Sequence, residues 1–135
     1  MKILQIEDSP EYIKKTRQIC TEKNHVLHTF SNFFDAVDPL SKDYDLYILD
    51  GCFPLKPDMQ SDANFSLIIE YLKILERFDK TKILAWSNST RVQKYCLDNS
   101  LQIFRKSDYD NEDKKKLEVM GMSPVKAADI GEIIK

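Results

Sequence analysis

The chain has 135 residues, 42% of them hydrophobic and 31% charged, with a formal net charge of −2. That length fits one domain with a real hydrophobic core, and the composition excludes a disordered chain. The near-neutral balance gives no electrostatic reason to expect nucleic acid or a membrane surface, and no apolar run is long enough to span a bilayer.

Ile3, Leu4 and Ile6 predict a short first strand that ends on two acids, Glu7 and Asp8. Ser9-Pro10-Glu11 follows with an N-cap hydroxyl, a proline suited to a first turn and an acid that favours the helix dipole. The first helix is expected from Pro10 to about Glu22, with Ile13, Thr16, Ile19 and Cys20 inward. His25 to Phe30 reads as a second strand. Ser31 is expected to cap a short helix through Phe34, Ala36 and Val37, which Pro39 stops. The third strand, from about Asp45 to Asp50, ends abruptly on a carboxylate before Gly51 and Pro54. Its Tyr47-Ile48-Leu49 run suits a strand buried on both faces of a parallel sheet.

Leu55 to Ala63 has no periodicity and a second proline, Pro57, so it reads as a long loop of the kind that serves binding. A strong amphipathic helix follows through Phe65, Ile68, Ile69, Leu72 and Leu75. The fourth strand, Lys82 to Trp86, ends on Ser87-Asn88-Ser89. Ser89 or Thr90 can cap a helix through Val92, Tyr95, Cys96 and Leu97, and the fifth strand, Leu101 to Arg105, ends on Lys106. Lys114 to Met120 is a further candidate helix with Gly121 as its stop. Ser123-Pro124 opens another candidate, Val125 to Ile134, weakened by Gly131. Either can supply the fifth helix, the second being favoured. Lys114-Lys115-Lys116 follows Asn111-Glu112-Asp113 and reads as a solvated helix face.

Three scattered cysteines (Cys20, Cys52, Cys96) with no C-x-x-C pair suggest a reducing compartment and no disulfide framework. His25 and His28 lack partners at zinc-ligand spacing and read as structural. The first seven residues are too short and polar for a signal peptide, so a cytoplasmic protein is expected.

Strands alternating with helices predict an α/β fold, a doubly wound, five-stranded parallel sheet with helices on both faces. Ligands of such sheets bind outside the carboxyl ends of the strands. Glu7, Asp8, Asp50, Ser87 and Lys106 all stand at those ends, and the three acids converge if the first and third strands are neighbours. Two carboxylates about 4 Å apart repel by roughly 4 kcal/mol at an effective dielectric near 20, so such a cluster binds protons or a cation. Oxygen ligands without His or Cys favour Mg²⁺. A magnesium ion, a hydroxyl and a lysine around a carboxylate are equipment for moving a phosphoryl group onto Asp50.

Ile3 to Ser9, Asp45 to Pro54, Ile83 to Ser87 and Phe104-Arg105-Lys106 together resemble the receiver domain of two-component response regulators, of the chemotaxis-regulator kind. The resemblance covers roughly residues 2–107. It implies a flavodoxin-like sheet of strand order 2-1-3-4-5 and a single domain over residues 1–135, with a core at 2–107, an atypical C-terminal segment at 108–135 and no output domain. It further implies Asp50 as phosphoacceptor, and Glu7, Asp8, Asp50 and the Cys52 backbone carbonyl as Mg²⁺ ligands. Lys106 and Ser87 would be the catalytic lysine and hydroxyl. A sensor histidine kinase or histidine phosphotransfer protein would be the donor, and an unknown downstream protein would read the signal. The protein would at most phosphorylate and dephosphorylate itself, without substrate turnover.

Three positions and one loop depart from the family pattern. Ser107 stands where receivers usually have a proline in a cis peptide. A cis bond there costs about 2.5–4 kcal/mol without proline, so either that strain is held or the loop differs. Ile103 replaces a common aromatic, and Asn88 replaces a small residue where it could crowd the phosphoryl approach. The loop after Pro54 is longer than usual and lacks its glycine. These departures motivate a second reading, a pseudo-receiver that binds partners without phosphorylation. A magnesium-dependent phosphohydrolase ranks last, because Cys52 stands where its general acid is expected.

Overall fold

The first strand, β1 (Lys2–Ile6), buries Ile3, Leu4, Gln5 and Ile6 in succession, so both faces of the sheet it belongs to are covered. A computed structural model describes residues 1–135. Four further strands complete the sheet: β2 (Val26–Phe30), β3 (Leu46–Leu49), β4 (Ile83–Trp86) and β5 (Gln102–Phe104). All pairings are parallel, in the order β2-β1-β3-β4-β5. The expected strand order and layering are therefore present, with strand ends within a residue or two of those read from the sequence.

Alternation along the strands sorts the core into two layers. Leu4, Ile6, Tyr47, Leu49, Ile83 and Ala85 face α2 (Phe33–Leu40), α3 (Phe65–Ile74) and α4 (Thr90–Asp98), which bring Leu40, Phe65, Ile68, Leu72, Val92 and Cys96. On the other face Ile3, Ile48 and Trp86 meet Cys20 of α1 (Pro10–Glu22) and Ile130 of α6 (Ile130–Ile133). Gln5 is the polar member of that face, and its Nε2 donates to Thr16 Oγ1 at 2.9 Å.

Several local expectations are corrected. Ser9 takes the N-cap position of α1, but its side chain makes no capping bond. Asn32, not Ser31, caps α2, its Oδ1 accepting from Asp35 N at 2.9 Å. Pro39 does not stop α2 but lies in its last turn, where it deprives only the Asp35 carbonyl of a donor. The loop after β3 is folded back on itself, with Phe53 and Asp62 paired antiparallel. It also accepts the first amides of α2, Phe33 N on the Pro54 carbonyl at 3.0 Å and Phe34 N on the Leu55 carbonyl at 2.8 Å.

Both C-terminal candidates contain helix. The first is α5 (Asn111–Met120), opened by a reciprocal capping box of Asp110 and Asp113 and closed by Gly121 at φ 63°. It packs beside α4. The second is helical only over α6, which packs on α1 as the favoured alternative requires. Its earlier part is extended instead, because Lys126 and Ala128 spend their backbone groups on Arg105: Arg105 N donates to the Lys126 carbonyl at 2.9 Å, and Ala128 N to the Arg105 carbonyl at 3.1 Å.

Candidate functional site

Register brings the acids together. Ile6 lies opposite Leu49, so Glu7 and Asp50, one residue further on each strand, leave the sheet side by side. Asp50 N donates to the Ile6 carbonyl at 2.9 Å and Glu7 N to the Phe30 carbonyl at 2.9 Å, fixing both backbones. Carboxylate oxygens of Glu7, Asp8 and Asp50 lie within 4.8 Å of one another. Glu7 and Asp50 are buried, and Asp8 is the least covered of the three.

Lys106 reaches the same place from beyond β5. Its Nζ is 2.5 Å from Glu7 Oε1 and 3.5 Å from Asp50 Oδ1. The ammonium also lies 4.3 Å from the Tyr12 ring centre and 5.5 Å from that of Trp86, and those two rings stack edge to face at 5.2 Å. Burial, and then the neighbouring Glu7 charge, push the Asp50 carboxyl up to about 8, with Lys106 opposing. Clustered carboxylates relieve their mutual repulsion by taking up a proton or a cation.

Ser87 follows β4, and its backbone N donates to the Phe104 carbonyl at 3.0 Å. Its buried hydroxyl accepts from Ser89 N at 3.2 Å, and no hydrogen bond joins it to the acids. The half-buried Cys52 thiol is raised by burial, lowered by a hydrogen bond to Ser89, and raised by Asp50 and Asp8. The Cys52 carbonyl accepts no hydrogen bond from the protein. Three carboxylates this close together are a donor set that suits Mg²⁺.

The sequence did not single out Tyr12 or Arg105 as builders of this site. Arg105 is 1% exposed. Its Nη1 donates to the Asn88 carbonyl at 3.0 Å, its Nε to the Ser107 carbonyl at 2.9 Å and its Nη2 to Asp113 Oδ2 at 3.2 Å. The guanidinium lies 3.9 Å from the centre of the Tyr109 ring. An arginine next to Lys106 at a strand end, shortly before an Asp-x-x-Asp helix start, was the available signal. The Asn88 side-chain oxygen accepts from the backbone N–H groups of Lys106 and Ser107. The Lys106–Ser107 peptide is trans, like every other, so the loop differs from the family pattern and no cis strain is held.

No family model and no curated protein matches the sequence. Solved structures do. The receiver domain of the sensor histidine kinase PA1611 from Pseudomonas aeruginosa PAO1, with a magnesium ion coordinated in its active site cleft, matches at a TM-score of 0.61 and 17% identity, over 87% of this chain and 94% of that one. The chemotaxis response regulator CheY4 of Vibrio cholerae matches at 0.60 and 15% identity, over 89% and 95%. The chain has the receiver fold. A de novo designed Rossmann 2x3 protein matches at 0.58 and 16% identity, over 90% and 92%, so the likeness is one of architecture and the site must carry the function. No helix is long and apolar enough to cross a membrane.

Proposed function

We propose that the chain is a receiver that accepts a phosphoryl group on Asp50 from a phosphohistidine and signals through a partner protein. The observation that carries this reading is the convergence of Glu7, Asp8, Asp50 and Lys106 at the carboxyl edge of the sheet. Asp50 first gives up its proton to solvent, and one of its carboxylate oxygens then attacks phosphorus in line. The bond from phosphorus to the donor imidazole breaks with its electron pair on nitrogen, and the released imidazole takes up a proton. Mg²⁺, held by Glu7, Asp8, Asp50 and the Cys52 carbonyl, would supply positive charge against the phosphoryl oxygens. Lys106 turns its ammonium from Glu7 and Asp50 toward one of those oxygens, and the Ser87 hydroxyl can donate to another. The donor is a sensor histidine kinase or a histidine phosphotransfer protein, and residues 1–135 act as one receiver-like domain. Three free thiols, Cys20, Cys52 and Cys96, suit a cytoplasmic setting.

The test is intact mass after incubation with Mg²⁺ and acetyl phosphate. A gain of one phosphoryl group that is lost in Asp50→Asn is the expected result. The second reading, a phosphorylation-independent interaction module, is favoured by the contact between Lys106 and Glu7, which neutralises an acid that the ion needs. No mass gain with any phosphodonor would establish it over the first.

A further inference from the structure

Asn88 follows Ser87 between β4 and α4, and its side chain is spent on the loop that carries Lys106. Its Oδ1 accepts from Lys106 N at 2.8 Å and from Ser107 N at 3.2 Å, while its Nδ2 donates to Ser107 Oγ at 3.0 Å. Arg105 closes the same junction through the Asn88 and Ser107 carbonyls. The two loops that bring a hydroxyl and an ammonium to the acid site are thus joined by four hydrogen bonds involving two side chains.

We propose that Asn88 is a positioning residue that yokes the Lys106 loop to the Ser87 loop, so that both groups meet the phosphoryl as one unit. Glu7 and Asp50 hold the Lys106 ammonium at its tip, but once it turns from them to a phosphoryl oxygen, the flexible four-carbon stem leaves its placement to how firmly its backbone is held. Nothing in the Lys106–Ser107 peptide holds it from within: the bond is trans, and neither residue is proline. The fork of one amide on two successive N–H groups supplies that restraint. Asn88 itself is exposed, so these bonds contribute little to global stability and their loss leaves the fold standing. Their effect falls on geometry, where a displacement of about 1 Å costs as much as about a hundredfold in rate.

The rate arm of the test rests on the phosphoryl-transfer reading, and the exchange arm does not. Both use the full chain with Asn88→Ala and Asn88→Asp. Without metal or donor, amide exchange at Lys106 and Ser107 is expected to quicken about tenfold in the alanine variant, with other amides and Tm unchanged. The aspartate variant restores protection, because one oxygen still accepts both N–H groups and the Ser107 hydroxyl can donate to the other. With Mg²⁺ and acetyl phosphate, Asn88→Ala is expected to slow phosphoryl uptake about tenfold at an unchanged half-saturating Mg²⁺ concentration. Unchanged exchange at the two amides overturns the proposal, as does an undiminished uptake rate once they are freed. Parallel loss of Tm, Mg²⁺ binding and rate also overturns it, since that marks a structural role. If the wild-type chain gains no phosphoryl mass while the two amides are freed as expected, the phosphoryl reading fails and the yoke stands.

Discussion

Glu7 and Lys106 are 99 residues apart in sequence, and their side chains meet at 2.5 Å inside the acid site. The pair acts on Asp50 from both sides: burial raises its pKa most, Glu7 and then Asp8 raise it further, and Lys106 lowers it. Replacing Lys106 with Met removes the opposing charge and should raise Asp50 further. At pH 9 the proton competes only weakly in wild type and somewhat more in the variant, yet the variant should hold Mg²⁺ at lower concentration, because three acids then lack their internal counter-ion. Calorimetric titration at pH 9 checks this, and weaker Mg²⁺ binding than wild type would contradict it.

Stability without divalent ions should depend on pH through Asp50. Its pKa is raised from 3.8 to about 8 on folding, so over that window the folded chain keeps a proton that the unfolded chain has lost. The contribution is complete below the lower value and disappears as pH rises through the upper one, with a slope of at most about 1.4 kcal/mol per pH unit. Asp50→Asn cannot ionise, so its advantage over wild type should widen from acid pH toward pH 8. Urea midpoints of both chains in a chelator test this. Parallel curves would mean that Asp50 ionises freely in the folded chain.

Trp86 should report Mg²⁺. Its ring is 5.5 Å from the Lys106 ammonium and is fixed by donation from Nε1 to the Ala128 carbonyl at 3.0 Å. An ion among the acids loosens the grip of Glu7 on Lys106 and moves a charge next to the indole. Emission should therefore change on titration, and Asp8→Ala should abolish the change by removing one ligand. A flat titration of the wild-type chain counts against a metal at this site.

How far the sequence reads follows from which interactions are local. Glu7, Asp50 and Lys106 were legible because each ends a short apolar run, and parallel strands deliver their carboxyl ends to one edge. The Asp110-x-x-Asp113 start and Gly121 stop of α5 are local signals too, although only Gly121 was read. Arg105 was not legible. Its partners come from Asn88, Ser107, Tyr109 and Asp113, and only the fold brings the β4–α4 turn to the others. The extended run at Val125–Ala128 escaped for a related reason, since backbone pairing with Arg105 leaves no side-chain period to detect.

Arg105 should matter more for stability than its neighbours at the site. Arg105→Met leaves Asp113 and two loop carbonyls without their donor, in a position only 1% exposed. Loss of one partner of a buried, hydrogen-bonded ion pair costs about 3–5 kcal/mol. Urea denaturation should show a loss of this size, whereas Lys94→Met, which breaks an exposed pair with Asp98, should cost less than about 1 kcal/mol. Equal losses would show that the Arg105 junction is not a structural centre.

Gly51 sits directly after the acid, and its missing side chain is a packing requirement. A Cβ built there would lie 2.1 Å from Val92 Cγ2 on α4 and 2.7 Å from Val92 Cβ. Those atoms belong to a buried, branched side chain that cannot swing aside, so Gly51→Ala must push α4 away from the β3 end or tilt the Asp50 turn. Overpacking of this kind costs about 1–3 kcal/mol. Val92→Ala alone opens a small cavity and is destabilising as well, yet it removes both methyls, Cγ2 at 2.1 Å among them, and leaves only the Cβ contact at 2.7 Å. The double variant should therefore lose less stability than the sum of the two single losses. Strict additivity in urea denaturation would mean that the two residues are not in contact, and that the glycine is there for some reason other than room for α4.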